Sequence, residues 1–195
     1  MFFRLRDIFL SLVLLALLSW LFILIMIALL LTQGKIFYVQ PRSGINMKSF
    51  RLIKFSTLRD AAPGHAEADA QRERLTPVGK WLRRFSLDEL PQLFNILAGS
   101  MSLVGPRPLI EDYLPLYSEE EKKRFTVKPG LTGWAQINGR NSLTWKQRFA
   151  LDVWYVAHRS FWLDCKVLLL TPMRIFRRDV YADGSTTMSA YNGGN

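Results

Sequence analysis

Two adjacent carboxylates, Asp88 and Glu89, lie in the run Ser86–Pro108, SLDELPQLFNILAGSMSLVGPRP, which closes on a Gly-Pro-Arg-Pro segment. Arg107 is held between Pro106 and Pro108, so its backbone is stiff and its guanidinium is aimed for bidentate pairing with an oxyanion. Ser86 with Glu89 three residues on matches a capping box, and on that reading both acids merely complement a helix dipole. Pro91 sits badly deep in a helix but well in a first turn, so the regular helix can instead begin near it. Either way the acids lie at the positive end of a helix that buries Leu90, Leu93, Phe94 and Leu97 and stops at Gly99. Such an end favours a carboxylate as the anion and also attracts phosphate. An ionised Asp88 beside a bound phosphate is a nucleophile able to form an acyl phosphate. Anions gathered in this way need cations. Arg83, Arg84 and Arg107 are the candidates, with Mg²⁺ bridging Asp88 and a pyrophosphate.

The whole chain narrows the partners. Its 195 residues carry a formal net charge of +10, so the expected partners are anionic: phosphorylated substrates, acidic lipid or nucleic acid. Cys165 is the only cysteine, which excludes an internal disulfide. His65 and His158 are far apart and no Cys/His pair has ligand spacing, so the metal expected is a hard cation held by oxygen rather than zinc.

The elements that must position these groups begin with a membrane segment. Ile8–Leu31 carries no charge, and a helix of this length runs roughly 36 Å against a hydrocarbon core of about 30 Å. Arg4 and Arg6 precede it; Lys35, Arg42, Lys48, Arg51 and Lys54 follow it. The positive-inside rule asks for cytoplasmic placement of both flanks, which only a re-entrant helix satisfies. Ser19 lies near the middle, where a hydroxyl bond back to the Leu15 carbonyl bends a helix. A straight span is the competing arrangement.

Beyond it, Ile36–Gln40 reads as a short strand, Pro41–Asn46 as a turn and Phe50–Leu58 as a second strand. Asp60–Glu73 reads as a surface loop around Pro63-Gly64, and Pro77–Arg84 as a basic helix. Ser118–Phe125, SEEEKKRF, has a capping box from Ser118 to Glu121 and i,i+4 pairs Glu119→Lys123 and Glu120→Arg124, the pattern of a solvated helix face. Leu143–Val156 reads as a helix. Lys166–Arg178, with Phe161 and Trp162 upstream, fits either an interfacial helix or an ordinary amphipathic core helix. The fold expected is an α-rich α+β: a membrane-embedded helix over 1–34, a compact membrane-associated domain with interfacial helices and short strands over 35–181, and a flexible tail over 182–195.

Four motifs in order resemble the bacterial sugar transferase family, the monotopic polyprenyl-phosphate phosphoglycosyltransferases. They are Lys54-Phe55-Ser56-Thr57-Leu58, the Ser86–Pro108 run, PGLTGWAQINGR over Pro129–Arg140, and Asp152, Tyr155, Ser160 and Asp164 downstream. Where the family has Ser-Pro in its membrane helix this chain has Ser19-Trp20, and where an acidic residue often precedes Met-Ser it has Ser100.

The resemblance implies a reaction. A UDP-sugar donates its phosphosugar to polyprenol (undecaprenyl) phosphate, with Asp88 as nucleophile, UMP as leaving group and ping-pong kinetics. Glu89 assists by positioning, metal binding or proton transfer. Lys54, Arg83 and Arg107 contact phosphates. Gln136, Asn138 and Arg140 contact nucleotide or sugar, or else only order their loop. The same resemblance places the catalytic domain on the cytoplasmic face of a bacterial inner membrane, with Mg²⁺ as cofactor and no nucleic acid as partner; a homodimer is compatible with it. The rival reading is a membrane-tethered basic module that binds acidic lipid or nucleic acid without chemistry. It predicts strongly salt-dependent binding and leaves the Asp-Glu pair, the Gly-Pro-Arg-Pro turn and the glycine motif without a role.

Overall fold

A computed structural model describes residues 2–59, 74–139, 142–176 and 190–193. The expected loop over 60–73, Arg140, and the stretch of the expected tail over 182–189 lie outside the described residues, as do Arg177 and Arg178.

The apolar amino-terminal segment folds as two helices, α1 (Phe2–Leu17) and α2 (Ser19–Gln33), bent by 64° at Leu18. The straight span does not form, and among the described residues no single helix is long and apolar enough to cross a membrane, although the bent pair together meets that test by length and composition. The Ser19 hydroxyl donates to the Ala16 carbonyl at 2.9 Å rather than to that of Leu15, and this bond sits at the break.

Both ends of the bent pair dock on the rest of the chain. Arg4 donates to the carbonyls of Ile96 and Leu97, and Gln33 Nε2 donates to the Ser56 carbonyl at 2.6 Å. Arg6 bridges Asp7 and Asp164, whose other oxygen accepts from the Tyr155 hydroxyl at 2.6 Å. Asp7 in turn accepts from the Ser102 hydroxyl at 2.5 Å. Charges that read from sequence as flanking signals are therefore also structural ties.

After α2 the chain forms an antiparallel hairpin of β1 (Phe37–Ser43) and β2 (Ser49–Phe55). Pro41 and Arg42 lie inside β1, not in the expected turn, which is displaced to 44–48. Proline is tolerated because β1 is an edge strand and needs no donor there. Helix α3 (Pro77–Arg84) starts at a Thr76 cap that accepts from Gly79 N at 2.9 Å. Gly79 packs on the backbone of Thr57, where an added Cβ would fall 2.2 Å from the Thr57 carbonyl oxygen.

A 3₁₀ turn at Leu87–Glu89 leads into α4 (Gln92–Ala98), which ends at Gly99 with φ of 90°. Asn95 of α4 is buried and mimics a strand edge. Its Oδ1 accepts from Ile53 N at 3.0 Å and its Nδ2 donates to the Arg51 carbonyl at 2.7 Å. This pins α4 to β2. The remaining elements are β3 (Ser102–Val104), α5 (Glu119–Lys122), β4 (Gly130–Thr132), α6 (Trp134–Ile137), α7 (Trp145–His158) and α8 (Phe161–Phe176). Strands β3 and β4 pair in parallel.

The fold is helix-rich with short strands, a mixed α+β arrangement. Its central core joins Leu52, Leu93, Ile96, Val104, Tyr155 and Val167, and burying Leu93 or Ile96 contributes about 2 kcal/mol each. A separate aromatic cluster contains Tyr117, Trp145, Phe149 and also Tyr191, a buried residue within the stretch expected to fray. Tyr191 hydroxyl donates to the Leu116 carbonyl at 3.1 Å.

Candidate active site

The expected capping box at Ser86 does not form. Ser86 adopts φ of 56° and makes no side-chain cap bond, while its N–H donates to the Arg83 carbonyl and closes α3. Glu89 is drawn elsewhere. Its carboxylate accepts from Lys54 Nζ at 2.8 Å, from Arg107 Nη2 at 2.5 Å and from Arg107 Nη1 at 3.2 Å. A capping box asks that carboxylate to reach back to Ser86 N, and two cations hold it instead. The box expected at Ser118 and Glu121 does form.

The Gly-Pro-Arg-Pro segment is placed by close backbone contact. A Cβ on Gly105 would fall 2.4 Å from the Lys128 carbonyl oxygen, and one on Gly130 would fall 2.1 Å from Gly105 N. The two segments lie so close that glycine alone fits at both positions, and the bonds Gly105 N→Thr132 O and Gly130 N→Pro106 O, each 2.9 Å, lock them. The backbone of Arg107 is further anchored by Arg124, whose Nη2 donates to the Arg107 carbonyl at 2.7 Å.

Asp88 differs from its neighbour. Among the described residues it makes no hydrogen bond or ion pair, although Lys54, Arg83 and Arg107 all act on it through space. Burial, followed by the charge of Glu89, pushes its carboxyl above the ordinary aspartate value despite those cations. Burial and the charge of Glu89 thus outweigh the preference for the anion expected of a helix end with nearby cations. For Glu89 burial acts the same way, but Arg107 and Lys54 outweigh it and hold the carboxyl well below the usual carboxylate range. Arg83 Nε donates to Thr57 Oγ1 at 2.9 Å; burial lowers its proton affinity and the nearby Asp88 raises it.

Lys54, Arg83, Asp88, Glu89 and Arg107 are thus brought together from β2, α3, the 3₁₀ turn and the segment before Leu109. Gln136 lies beside Gly133, in the glycine segment that packs on Gly105, and both atoms of its amide are buried without a hydrogen-bond partner among the described residues. Asn138 is exposed and its amide donates to the Trp134 carbonyl at 2.8 Å, which orders the loop.

Arg124 was hidden from sequence reasoning. Its spacing from Glu120 suggests a solvated pair, but Glu119 and Glu120 pair instead with Lys122 and Lys123. Arg124 is buried at 2% exposure, bound to Asp152 at 2.8 Å, with its guanidinium over the rings of Phe125 and Phe149.

The acidic groups fit a hard cation only in a limited way. Among the described residues no group of three His, Cys, Asp or Glu side chains converges. Glu89 is committed to two cations, which leaves Asp88 as the carboxylate able to share a Mg²⁺ with substrate oxygens and water, a usual arrangement for this ion.

The sequence profile described as "Bacterial sugar transferase" matches residues 1–178. The chain is 51% identical over 140 residues to "Uncharacterized sugar transferase EpsL" of Bacillus subtilis (strain 168), covering 72% of this chain and 69% of that protein. It is 41% identical over 197 residues to "Undecaprenyl-phosphate glucose phosphotransferase" of Komagataeibacter xylinus, covering 91% of this chain but 36% of that protein. It is 39% identical over 151 residues to "Undecaprenyl-phosphate galactose phosphotransferase" of Salmonella typhimurium (strain LT2), covering 75% of this chain and 32% of that protein. The chain therefore spans about a third of the length of the latter two relatives. With the four ordered motifs and the clustered acids and cations they supply, these matches show that the chain belongs to the bacterial sugar transferase family.

Proposed function

We propose that this chain transfers a phosphosugar from a UDP-sugar to polyprenol (undecaprenyl) phosphate through a covalent Asp88 intermediate. The observation that carries this reading is the asymmetry of the acid pair. Glu89 is clamped by Lys54 and Arg107, whereas Asp88, beside it, has its oxygens uncommitted among the described residues.

In the first half-reaction an Asp88 oxygen attacks the phosphorus that bears the sugar. The bond from that phosphorus to the bridging oxygen breaks, its electron pair stays on the bridging oxygen, and UMP leaves. In the second, an oxygen of the lipid phosphate attacks the same phosphorus, the acyl–phosphate bond breaks and the Asp88 carboxylate returns. The raised proton affinity of Asp88 makes its anion a stronger nucleophile. Glu89 stays ionised between its two cations and holds them in position rather than donating a proton. Lys54, Arg83 and Arg107 oppose the charge of the phosphates. Gln136, with its unspent buried amide, contacts the nucleotide or sugar, as does Arg140. Mg²⁺ held by Asp88 and substrate oxygens supplies further charge neutralisation when bound.

The docking of both ends of the bent pair on one domain supports a re-entrant placement, with that domain and the amino terminus on the cytoplasmic side of a bacterial inner membrane. The exposed apolar side chains Trp20, Ile23, Leu24, Leu30 and Leu31 of α2, and Trp162, Leu169 and Met173 of α8, suit contact with lipid.

The test is UMP release from a panel of UDP-sugars with undecaprenyl phosphate, using purified protein. The expected result is Mg²⁺-dependent release with at least one sugar, abolished by Asp88→Asn. Release by Asp88→Asn at the wild-type rate would overturn the mechanism.

A further inference from the structure

The Lys-Phe-Ser-Thr-Leu motif supplies the site with more than Lys54. Its Thr57 is buried and fixed by its backbone, whose carbonyl accepts from Thr76 N at 3.2 Å and from Thr76 Oγ1 at 3.3 Å. The pairing continues outward. Leu58 and Leu75 form an antiparallel bridge, and Arg59 N donates to the Arg74 carbonyl at 2.9 Å. Thr57 is therefore held against the first turn of α3. Gly79 and Arg83 stand four residues apart and share one face of that helix. The bare backbone at Gly79 admits the backbone of Thr57, and the Arg83 side chain, leaning back toward the helix start, reaches the same residue. Arg83 Nε donates to Thr57 Oγ1 at 2.9 Å.

That bond uses one edge of the guanidinium. The Nη1 and Nη2 groups remain as donors, and among the described residues no carboxylate lies within ion-pair distance of them. Lys54 and Arg107 are both tied to Glu89, so Arg83 is the one of these three cations without a carboxylate partner there. The surroundings of α3 select its anion. Val78 and Leu82 pack with Phe22, Ile25 and Leu29 of α2, so α3 lies along the apolar segment. At the end of α2 the exposed Leu30 and Leu31 give way to Gln33, whose amide donates to the carbonyl of Ser56, the neighbour of Thr57. Apolar contact gives way to polar contact at this level. A lipid whose tail stays in hydrocarbon carries its phosphate at the same level.

We propose that Thr57 is a positioning residue that aims Arg83 at the phosphate of the polyprenol acceptor; this rests on the transferase reading above. Thr57 touches no substrate. It fixes Nε, and the guanidinium then presents its Nη edge as a fork to the incoming lipid phosphate. A long side chain already ordered in this way loses less rotamer freedom when the phosphate binds. The same arrangement places the lipid phosphate beside the acid pair, because the Ser86 N–H that closes α3 on the Arg83 carbonyl begins the turn carrying Asp88.

The test uses the full chain in lipid nanodiscs, with undecaprenyl phosphate and a UDP-sugar that the protein turns over. In a ping-pong reaction kcat/KM for each substrate reports its own half-reaction. Thr57→Val keeps the branched shape and removes the hydroxyl. It should lower kcat/KM for undecaprenyl phosphate about tenfold or more, as expected for a lost hydrogen bond to a charged group, and that for the UDP-sugar by a clearly smaller factor. Thr57→Ser should restore most of the loss. In an Arg83→Met background Thr57→Val should add less than about twofold, because its partner is already gone. An equal or larger fall for the UDP-sugar would assign Arg83 to the donor and overturn the proposal. Unchanged kcat/KM for undecaprenyl phosphate would overturn it as well, and so would additive losses from the two substitutions. The ratio of the two kcat/KM values does not depend on the folded fraction, so a Thr57→Val protein that melts early still decides. Wild-type protein that releases no UMP from any UDP-sugar contradicts the transferase reading itself, a result separable from any effect of Thr57.

Discussion

Glu89 and Asp152 are both carboxylates held by arginine, and they differ in what encloses them. Asp152 and Arg124 are sealed, each side chain at 1% exposure, with aromatic rings around the guanidinium. Glu89 is gripped by Arg107, whose side chain is 37% exposed, and by Lys54 at 20%. The same ion-pair chemistry therefore serves two ends. Where water and substrate are excluded, the pair is part of the frame. Where the cations keep an open side, they hold one anion and can still meet another. The two pairs are also linked, because the guanidinium that holds Asp152 donates to the backbone carbonyl of Arg107.

The largest expected effect comes from breaking the sealed pair. Arg124→Met leaves Asp152 buried without its main partner and should cost about 3–5 kcal/mol of stability, measured by denaturant unfolding in detergent. Adding Asp152→Leu should recover most of that loss, because the uncompensated charge is then gone. Breaking the open pair should act on chemistry instead. Arg107→Lys keeps the charge but loses the fork on Glu89, and transfer should fall about tenfold or more while the unfolding midpoint stays close to wild type. Equal effects of the two changes on stability would erase the distinction.

Acid sharpens the comparison within the acid pair. Because the proton affinity of Asp88 is raised, UMP release in the absence of acceptor should decline with falling pH above the ordinary carboxylate range, as Asp88 protonates. The proton affinity of Glu89 is lowered, so its stabilisation is complete above the ordinary carboxylate range and is lost only as pH falls below it. A pH profile of release set beside a pH profile of melting should therefore separate the two carboxyls. The smallest effect is expected at the exposed pair of Glu120 and Lys123, where Lys123→Ala should change stability by about 0.5 kcal/mol or less and leave transfer unaltered.

Much of this site was legible because it rests on local signals. Lys54, Asp88, Glu89 and Arg107 each stand in a short motif and Arg83 in the basic helix before the central run, and the structure converges them. Gly99 ends its helix, and Pro77–Arg84 is helical as the pattern required. What stayed hidden depends on contacts between distant segments. Arg124 has the local spacing of a surface residue, and only its packing on Phe149 and Asp152 of α7 reveals it as internal. Arg42 sat in a Pro-Arg-Ser-Gly run that reads as a turn, yet edge-strand pairing carries the hairpin through it. Ser86 matched a capping box by spacing, but the box needs the Glu89 carboxylate that Lys54 and Arg107 take.

The direct test of the central claim is intact-protein mass measurement after mixing purified protein with a UDP-sugar that it turns over, in Mg²⁺ and without polyprenol phosphate. The account predicts an adduct with the mass of one phosphosugar, located on Asp88, absent from Asp88→Asn and discharged when undecaprenyl phosphate is added. UMP release with no adduct on Asp88, or an adduct of the same mass on Asp88→Asn, would contradict it.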